Sequence, residues 1–376
     1  MKLRKPVVGI LVCAAVSVAA CSSSDSQGTA TGGSGGSSAT GGSSATGGSG
    51  GGSTLPQLTV NGNKLQDPSG KTIVLRGSSL IDIGMLQANL GGVNTRLDAI
   101  AAAGVQGHVV RMPVYPEICY NGKSPSCSPL PYPVGTGPTV SGCTAKSPVT
   151  AATYVSQVLK PAVDYATSKN LYVIIDFHQI DNATSGSSAS SSATDANTFW
   201  TDIAPQFASY ANVFYEIFNE PIDTSVPWST LKPVVQMLIN TVRAAAPDTV
   251  IIVPSNSWDQ KTGDAASDPP TGGNLMFTAH IYNTNWSSTF QSQVATATAK
   301  VPVFVTEWGA NASDPSSFGT GLQTTLEGDG ASWTAWVTDN SWAPPMFIDS
   351  SITTLNTFGM QVKSWLAADV TSDWVQ

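Results

Sequence analysis

Apolar residues along this chain come in short runs separated by longer, mixed stretches. The runs fall at 73–76, 107–111, 172–176, 213–217, 250–253, 275–279, 301–306 and 331–337, built mostly of Val, Ile, Phe or Leu, the last of Ala, Trp and Val. Segments such as Val-Ile-Ile (173–175) and Ile-Ile-Val (251–253) lack polar alternation. That pattern predicts strands buried on both faces. The stretches between them predict helices at about 93–103, 151–169, 195–210, 228–246, 288–299, 313–327 and 352–368. In the fourth, Val234, Val235, Leu238, Ile239 and Val242 recur at helical spacing. The connection after Val253 reads as short and irregular. Ahead of the first run, Asn61-Gly62 stands between extended residues, a hairpin signal. A long Pro/Gly/Ser-rich stretch from Tyr115 to about Pro148 carries Cys119, Cys127 and Cys143.

Strands alternating with helices predict an α/β fold. The expected form is a parallel (β/α)8 TIM barrel with an N-terminal β-hairpin and a Cys-containing insertion after the second strand. A doubly wound sheet is the alternative. It would bring a Gly-rich phosphate loop after an early strand, and the sequence has none.

The N-terminal end has a different character. Lys2, Arg4 and Lys5 precede an apolar run from Val7 to Ala20 that is too short and too rich in small residues for a membrane span. It reads as a secretory signal over 1–20. It ends Val18-Ala19-Ala20-Cys21, which resembles the lipobox of bacterial lipoproteins. That resemblance implies cleavage before Cys21 and lipidation of Cys21. Ordinary cleavage beside a stray cysteine is the alternative, and the polar tether that follows favours lipidation. Residues 21–54 are almost all Ser, Gly, Thr and Ala, a flexible linker with a reach of roughly 30 Å. Residues 55–376 then form the folded domain. The expected location is secreted and anchored to the cell envelope, with the lipid as the membrane contact and a monomer as the default state.

Composition narrows the function. The chain carries a net charge of −8 with no basic run. Nucleic-acid binding needs clustered Lys and Arg, so it is excluded. The three cysteines of the insertion predict one disulfide and one odd thiol after export, without choosing the pair. No His or Cys-x-x-Cys accompanies them, which argues against a metal site there.

In a (β/α)8 barrel the chemistry sits at the carboxyl ends of the strands. Reading those ends gives Arg111, Asp176-Phe177-His178, Asn219-Glu220-Pro221, His280-Ile281-Tyr282, Glu307-Trp308-Gly309 and Trp333 with Trp336. The chain has three histidines, and two fall in this set. Two carboxylates with Arg, Asn, His, Tyr and Trp suit cleavage of a glycosidic bond. One carboxylic acid protonates the leaving oxygen, and the other acts across the sugar as nucleophile or base. No metal and no other cofactor is required. Gly-x-Ser-x-Gly occurs in the Gly/Ser linker, at 32–36 and 47–51, and not in the domain 55–376, and a His-Glu-x-x-His pair is lacking, which disfavours serine and metallo-hydrolases.

These motifs resemble those of glycoside hydrolase family 5. They are Val-Leu-Arg-Gly (74–77), Arg-Met-Pro-Val (111–114), Val-Ile-Ile-Asp-Phe-His (173–178), Tyr-Glu-Ile-Phe-Asn-Glu-Pro (215–221), His-Ile-Tyr (280–282), Val-Phe-Val-Thr-Glu-Trp-Gly (303–309) and Ser-Trp-Thr-Ala-Trp (332–336). They stand in family order across the domain, most like bacterial endo-β-1,4-glucanases. The resemblance implies a retaining hydrolase of β-1,4-linked polysaccharide with Glu220 as acid/base and Glu307 as nucleophile. It implies that Arg111 and Tyr282 hold Glu307 and that Asn219 bonds the sugar 2-hydroxyl. It further implies that His178 and His280 line the cleft and that Trp336 stacks under the sugar. The same chemistry on β-mannan, xylan or xyloglucan is one alternative, and a non-catalytic carbohydrate-binding lipoprotein is another.

Other residues read as structural. Glu216 and Asp176 are expected to be buried structural carboxylates, and His108, Trp200 and Trp258 core residues. Trp308 and Trp333 divide evenly between packing and sugar platforms. The Lys and Glu that follow the last-strand Trp in many such glucanases are absent here, and Asp339, Asn340 and Trp342 are the candidate replacements for distal contacts.

Overall fold

The computed structural model describes residues 55–116, 128–135, 149–186, 188–310 and 316–368. The expected signal and linker with Cys21, and Cys119, Cys127 and Cys143, lie outside the described residues.

Strands β1 (Thr59–Asn61) and β2 (Lys64–Gln66) pair antiparallel around Asn61-Gly62. Gly62 takes φ +60°, which the turn requires and glycine adopts without strain. Next come β3 (Arg76–Ser79), β4 (Val109–Val114) and β5 (Tyr172–Phe177). Three two-residue strands follow: β6 (Ile180–Asp181), β7 (Thr184–Ser185) and β8 (Ser188–Ala189). Then come β9 (Val213–Glu216), β10 (Glu220–Pro221), β11 (Ile251–Val253), β12 (Leu275–Tyr282), β13 (Val303–Gly309) and β14 (Ser332–Ala335). Eight of them close into a parallel barrel in the order β3-β4-β5-β9-β11-β12-β13-β14. Seven of the expected runs overlap their barrel strands closely; the first, 73–76, meets its strand only at Arg76, because Ile73, Val74 and Leu75 lie just before it.

Side-chain alternation divides the barrel into two packing regions. Tyr172, Ile174, Phe214, Ile252, Met276 and Phe304 pack together with Leu58 and Leu65 of the hairpin. Their neighbours Val173, Ile175, Ile251, Phe277 and Val305 pack in the larger cluster with the helices. Continuing the first parity toward the carboxyl ends reaches Asp176, Glu216, Thr278, His280 and Thr306. Period-two alternation thus carries apolar residues at one end of the barrel into polar ones at the other.

The helices follow expectation with local differences. The helix at 93–103 is Val93–Ala103. The long one at 151–169 runs from Ala151 to Ser168 with a π-helical turn at Val155–Leu159. The helix expected at 195–210 starts earlier, at Ser191, because the Ser190 hydroxyl accepts from Ala193 N and caps it. The last begins at Thr357 rather than 352, capped by Asn356. A helix at Ile83–Asn89 was not expected; its seven residues are too few to show a period, and the Asp82 carboxylate caps it through Gly84 N. No helix among the described residues is long and apolar enough to cross a membrane.

Candidate active site

The expected site residues meet at the carboxyl end of the barrel. Strict alternation in one strand would turn Asn219 and Glu220 to opposite faces, and the chain avoids this by leaving the ladder. Strand β9 stops at Glu216, and pairing resumes as β10 with β6, Glu220 opposite Ile180. Asn219 N donates to Phe177 O at 3.0 Å and Glu220 N to Gln179 O at 3.1 Å. Both side chains then reach the site.

Arg111, fully buried on β4, organises the floor. Its Nε donates to Glu216 Oε2 at 2.6 Å and its Nη1 to Glu307 Oε1 at 2.6 Å. Its Nη2 donates to Asn219 Oδ1 at 2.6 Å and stands 2.9 Å from Asp176 Oδ2. Burial opposes the charge on Arg111, but Asp176, Glu216 and Glu307 outweigh it and hold its pKa above the ordinary value. Burial likewise opposes the charge on Glu216, and the Arg111 cation overcomes it, bringing that carboxyl down to about 2. Asp176 and Glu216, expected as buried structural carboxylates, flank Arg111; burial pushes the Asp176 carboxyl well above its ordinary value, against the pull of Arg111.

Glu307 is held from two sides. Arg111 takes Oε1, and the Tyr282 hydroxyl donates to Oε2. Burial and the charges of Glu307 and Glu220 push the Tyr282 phenol well up, so it keeps its proton and acts as donor. Glu220 meets His280, whose Nδ1 lies 2.7 Å from Glu220 Oε1 and 3.5 Å from Glu307 Oε2. One oxygen of Glu220, one of Glu307 and a ring nitrogen of His280 all lie within 4.8 Å of one another. Three such atoms could in principle ligate a metal. Here both Glu307 oxygens are already taken by a guanidinium and a phenol, and His280 is turned onto Glu220.

A cleft of about 310 Å³ opens over these groups, lined among others by Tyr115, His178, Glu220, Tyr282, Glu307, Trp336 and Trp342. Trp336 and His178 lie parallel, 5° apart with centroids 5.5 Å apart. Tyr115 covers the His178 ring at 4.4 Å. His178 Nδ1 contacts Asp176 Oδ2 at 2.6 Å. Burial first, then the Arg111 cation, bring the His178 pKa down to about 3, so the ring is neutral. Asn219 Nδ2 is buried and has no hydrogen-bond partner.

Every residue expected in the site is therefore brought together: Glu220, Glu307, Arg111, His178, Asn219, His280, Tyr282 and Trp336. Other expectations change. Trp308 and Trp333 are fully buried and meet edge-on, while Trp365 stacks on Trp308 and meets Trp333 edge-on, so they are packing residues. Trp200 is core, its Nε1 donating to Ile217 O. Trp258, expected in the core, is 37% exposed. It sits in a turn, Asn256–Asp259, where Ser257, Trp258 and Asp259 all have positive φ. His108 is half-buried just before β4, at the end of the barrel away from the site. Asp339 does not face the cleft: its Oδ2 lies 3.3 Å from Arg96 Nη1, and its Oδ1 accepts from Ser341 N and Trp342 N. It shapes the turn that presents Trp342. Asn340 is half-buried and is not among the residues that line the cleft. Sequence reasoning passed over Tyr115, Gln179 and Asp259. The first two directly follow Val114 and His178 at strand ends, a signal that was available; Asp259 gave none.

Residues 67–341 match the family model of the cellulases, glycosyl hydrolase family 5. The chain is 33% identical over 181 residues to endoglucanase Z of Dickeya dadantii, covering 48% of this chain and 39% of that protein. It is 35% identical over 154 residues to endoglucanase E-5 of Thermobifida fusca, covering 39% and 32%. The matched part thus spans well under half the length of these curated relatives. Among solved structures, a beta-glucanase from Saccharophagus degradans in complex with cellotetraose aligns at a TM-score of 0.66 and 21% identity. That alignment covers 84% of this chain and 94% of the other. The catalytic domain of Thermobifida fusca endoglucanase Cel5A aligns at 0.62 and 23% identity, covering 83% and 97%.

Proposed function

The chain belongs to the cellulase family, glycosyl hydrolase family 5, and from that premise we propose that it is a retaining endo-β-1,4-glucanase. The observation that carries the reading is the pair Glu220 and Glu307, with oxygens within 4.8 Å and Glu307 held by Arg111 and Tyr282. Carboxyl groups about 5–5.5 Å apart suit double displacement, whereas inversion needs about 6.5–9.5 Å to admit a water between them.

In the proposed reaction Glu307 attacks the anomeric carbon while Glu220 protonates the departing glycosidic oxygen. The bond to the leaving sugar breaks as the Glu307–glycosyl ester forms. A water enters, Glu220 takes its proton, and the hydroxide attacks the same carbon and frees Glu307. Asn219 Nδ2, buried and unpartnered, is the donor for the sugar 2-hydroxyl. Trp336 offers a flat apolar face for the sugar ring, and His178 keeps that face in place from the parallel position. Arg111 and Tyr282 keep Glu307 aimed before and after the ester forms.

We also propose that the chain acts outside the cell, with 1–20 as signal, Cys21 as lipid anchor and 21–54 as tether to the catalytic domain, 55–376. The polymer is the partner; β-1,4-glucan is the substrate favoured by the relatives' names.

The test is reducing-sugar release from a soluble β-1,4-glucan, with Glu307→Gln beside the wild type and the anomer of the first product read by proton NMR. Release of β-anomer by the wild type and its loss in the variant are expected. First-formed α-anomer would overturn retention. Silence on glucan with release from mannan, xylan or xyloglucan would keep the chemistry and replace the substrate. Silence across that panel would favour a carbohydrate-binding protein.

A further inference from the structure

His280 has a partner on its far side that the proposed reaction does not use. Asp259 is fully buried. Its Oδ1 accepts from Ser255 N at 2.5 Å. Its Oδ2 has no hydrogen-bond partner and lies 3.6 Å from His280 Nε2. The backbone goes to some trouble to place it there. Ser257, Trp258 and Asp259 are three consecutive left-handed residues, none of them glycine, with φ of 59°, 55° and 55°. Such conformations cost free energy and persist where surrounding structure insists on them. The turn packs on β10, which carries Glu220, and on β12, which carries His280. Thr262 ties it down, its Oγ1 within reach of both Asp259 O and Thr278 O.

The hydrogen-bond pattern fixes the tautomer of His280. Thr306 Oγ1 gives its single proton to Glu216 Oε1 at 2.7 Å. Glu216, held ionised by Arg111, can only accept. Thr306 Oγ1 must therefore accept from His280 Nε2, 3.0 Å away, so Nε2 carries a proton. That leaves one proton to be shared between His280 Nδ1 and Glu220 Oε1, 2.7 Å apart. On either atom, that proton belongs to the pair rather than to one residue.

We infer that Asp259 is a positioning residue, which seats His280 against Glu220 from behind and serves as counter-ion to the proton that those two share. The inference rests on Glu220 being the acid/base of the proposed reaction. The charged groups around the His280 ring are Glu216 off β9, Glu220 on β10, Asp259 from the turn and Glu307 on β13, with Arg111 behind Glu216 and Glu307. Arg111 hydrogen-bonds Glu216 and Glu307 and stands 2.9 Å from Asp176, one cation shared among three carboxyls. Burial pushes the Asp259 carboxyl well above its ordinary value, and the protonated His280 ring is the first group that opposes this, so the charge Asp259 carries is tied to the proton held by the pair. Removing that charge weakens the pair's hold on its proton, and the pair must lose it at lower pH.

Asp259→Asn in the full chain tests this cleanly. Asn keeps the oxygen that Ser255 N needs, and it tolerates the left-handed backbone better than most residues. Two readouts are made. The first is the pH profile of kcat/KM on a soluble β-1,4-glucan. Its alkaline limb is expected to move down by roughly one to two pH units, with the acid limb in place. The second needs no substrate: the imidazole 15N shifts of His280, one of three histidines, assigned with His108→Asn and His178→Asn. Its titration is expected to move down by a similar amount. Unmoved His280 shifts with an unmoved alkaline limb would overturn the inference. So would a uniform loss of kcat at every pH with both limbs in place, the mark of a purely structural role. A wild type silent on the whole polysaccharide panel would instead sink the reaction assigned to Glu220, and the NMR titration would then decide the Asp259–His280 coupling by itself.

Discussion

Arg111 grips Glu216 through Nε at 2.6 Å, so the guanidinium that touches Glu307 is fixed from behind by a second carboxylate. Both residues are fully buried. Cutting one partner out of such a network costs about 3–5 kcal/mol, because the other charge is left unmatched. Arg111→Lys is expected to lower the Tm, and to lower kcat by about 10²–10³ through loss of the aimed donor on Glu307. Glu216→Gln is expected to cost less, about 10- to 100-fold in activity, since it acts through Arg111. Thermal unfolding and steady-state kinetics on the two variants check the order. Equal activity losses would mean that Glu216 does more than orient the guanidinium.

The tryptophans separate into two behaviours. Trp308 and Trp333 pack with Trp365 away from the cleft, so Trp308→Ala is expected to lose about 3–5 kcal/mol of stability with little change in the kcat of the folded fraction. Trp336 lines the cleft. Trp336→Ala is expected to lower kcat/KM on polymer by at least tenfold, about 1.4 kcal/mol, with a smaller loss of stability. Denaturant titration beside kinetics distinguishes them.

The barrel was legible because parallel strands are buried on both faces and write themselves as unbroken apolar runs. The same logic exposed Arg111, His280 and Glu307, which interrupt those runs at their carboxyl ends. Glu220 was legible as a motif but not as geometry. Its approach depends on the chain leaving one ladder at Glu216 and joining another at Ile180, a tertiary pairing with no local signature. Asp259 and Trp258 were obscured for a different reason. A left-handed turn usually advertises itself with Gly or Asn, and Ser257-Trp258-Asp259 carries neither, so the segment read as an ordinary irregular connection with Trp258 in the core. Asp339 misled in the opposite direction: an exposed-looking Asp-Asn-Ser turn turned its carboxylate inward to Arg96.

His178 makes stability depend on pH on the acid side. In the folded chain its pKa is brought down to about 3 by burial and then by Arg111, against an ordinary 6.5. Between those values the unfolded chain binds a proton that the folded chain refuses, so stability falls as pH drops from 6.5 toward 3. Glu216 adds to the loss below its ordinary 4.5, because its folded value is about 2. Unfolding free energy is expected to be flat with respect to these two groups above pH 6.5 and to fall by several kcal/mol toward pH 3. His178→Asn should flatten the part of that slope between pH 6.5 and 4.5. A slope unchanged by this substitution would mean that the ring is protonated in the folded state.

Asp82 acts in the reverse sense, on the alkaline side. Its Oδ1 caps the helix Ile83–Asn89 through Gly84 N at 2.8 Å, while its Oδ2 is buried without a hydrogen-bond partner. Burial raises its pKa to about 7 from an ordinary 3.8, against the pull of Ser128 and the backbone donors. From pH 3.8 to 7 the folded chain keeps a proton that the unfolded chain releases, so stability falls across that window and stays low above it. Asp82→Asn keeps the capping oxygen and removes the ionisation. The variant should match the wild type near pH 4. At pH 8 it should be the more stable of the two, by a few kcal/mol, after allowance for a buried amide whose N–H must find Ser128. Urea unfolding at the two pH values reads this directly. A variant less stable than the wild type by the same amount at both would mean that the carboxyl is ionised throughout, with its capping strength deriving from that charge.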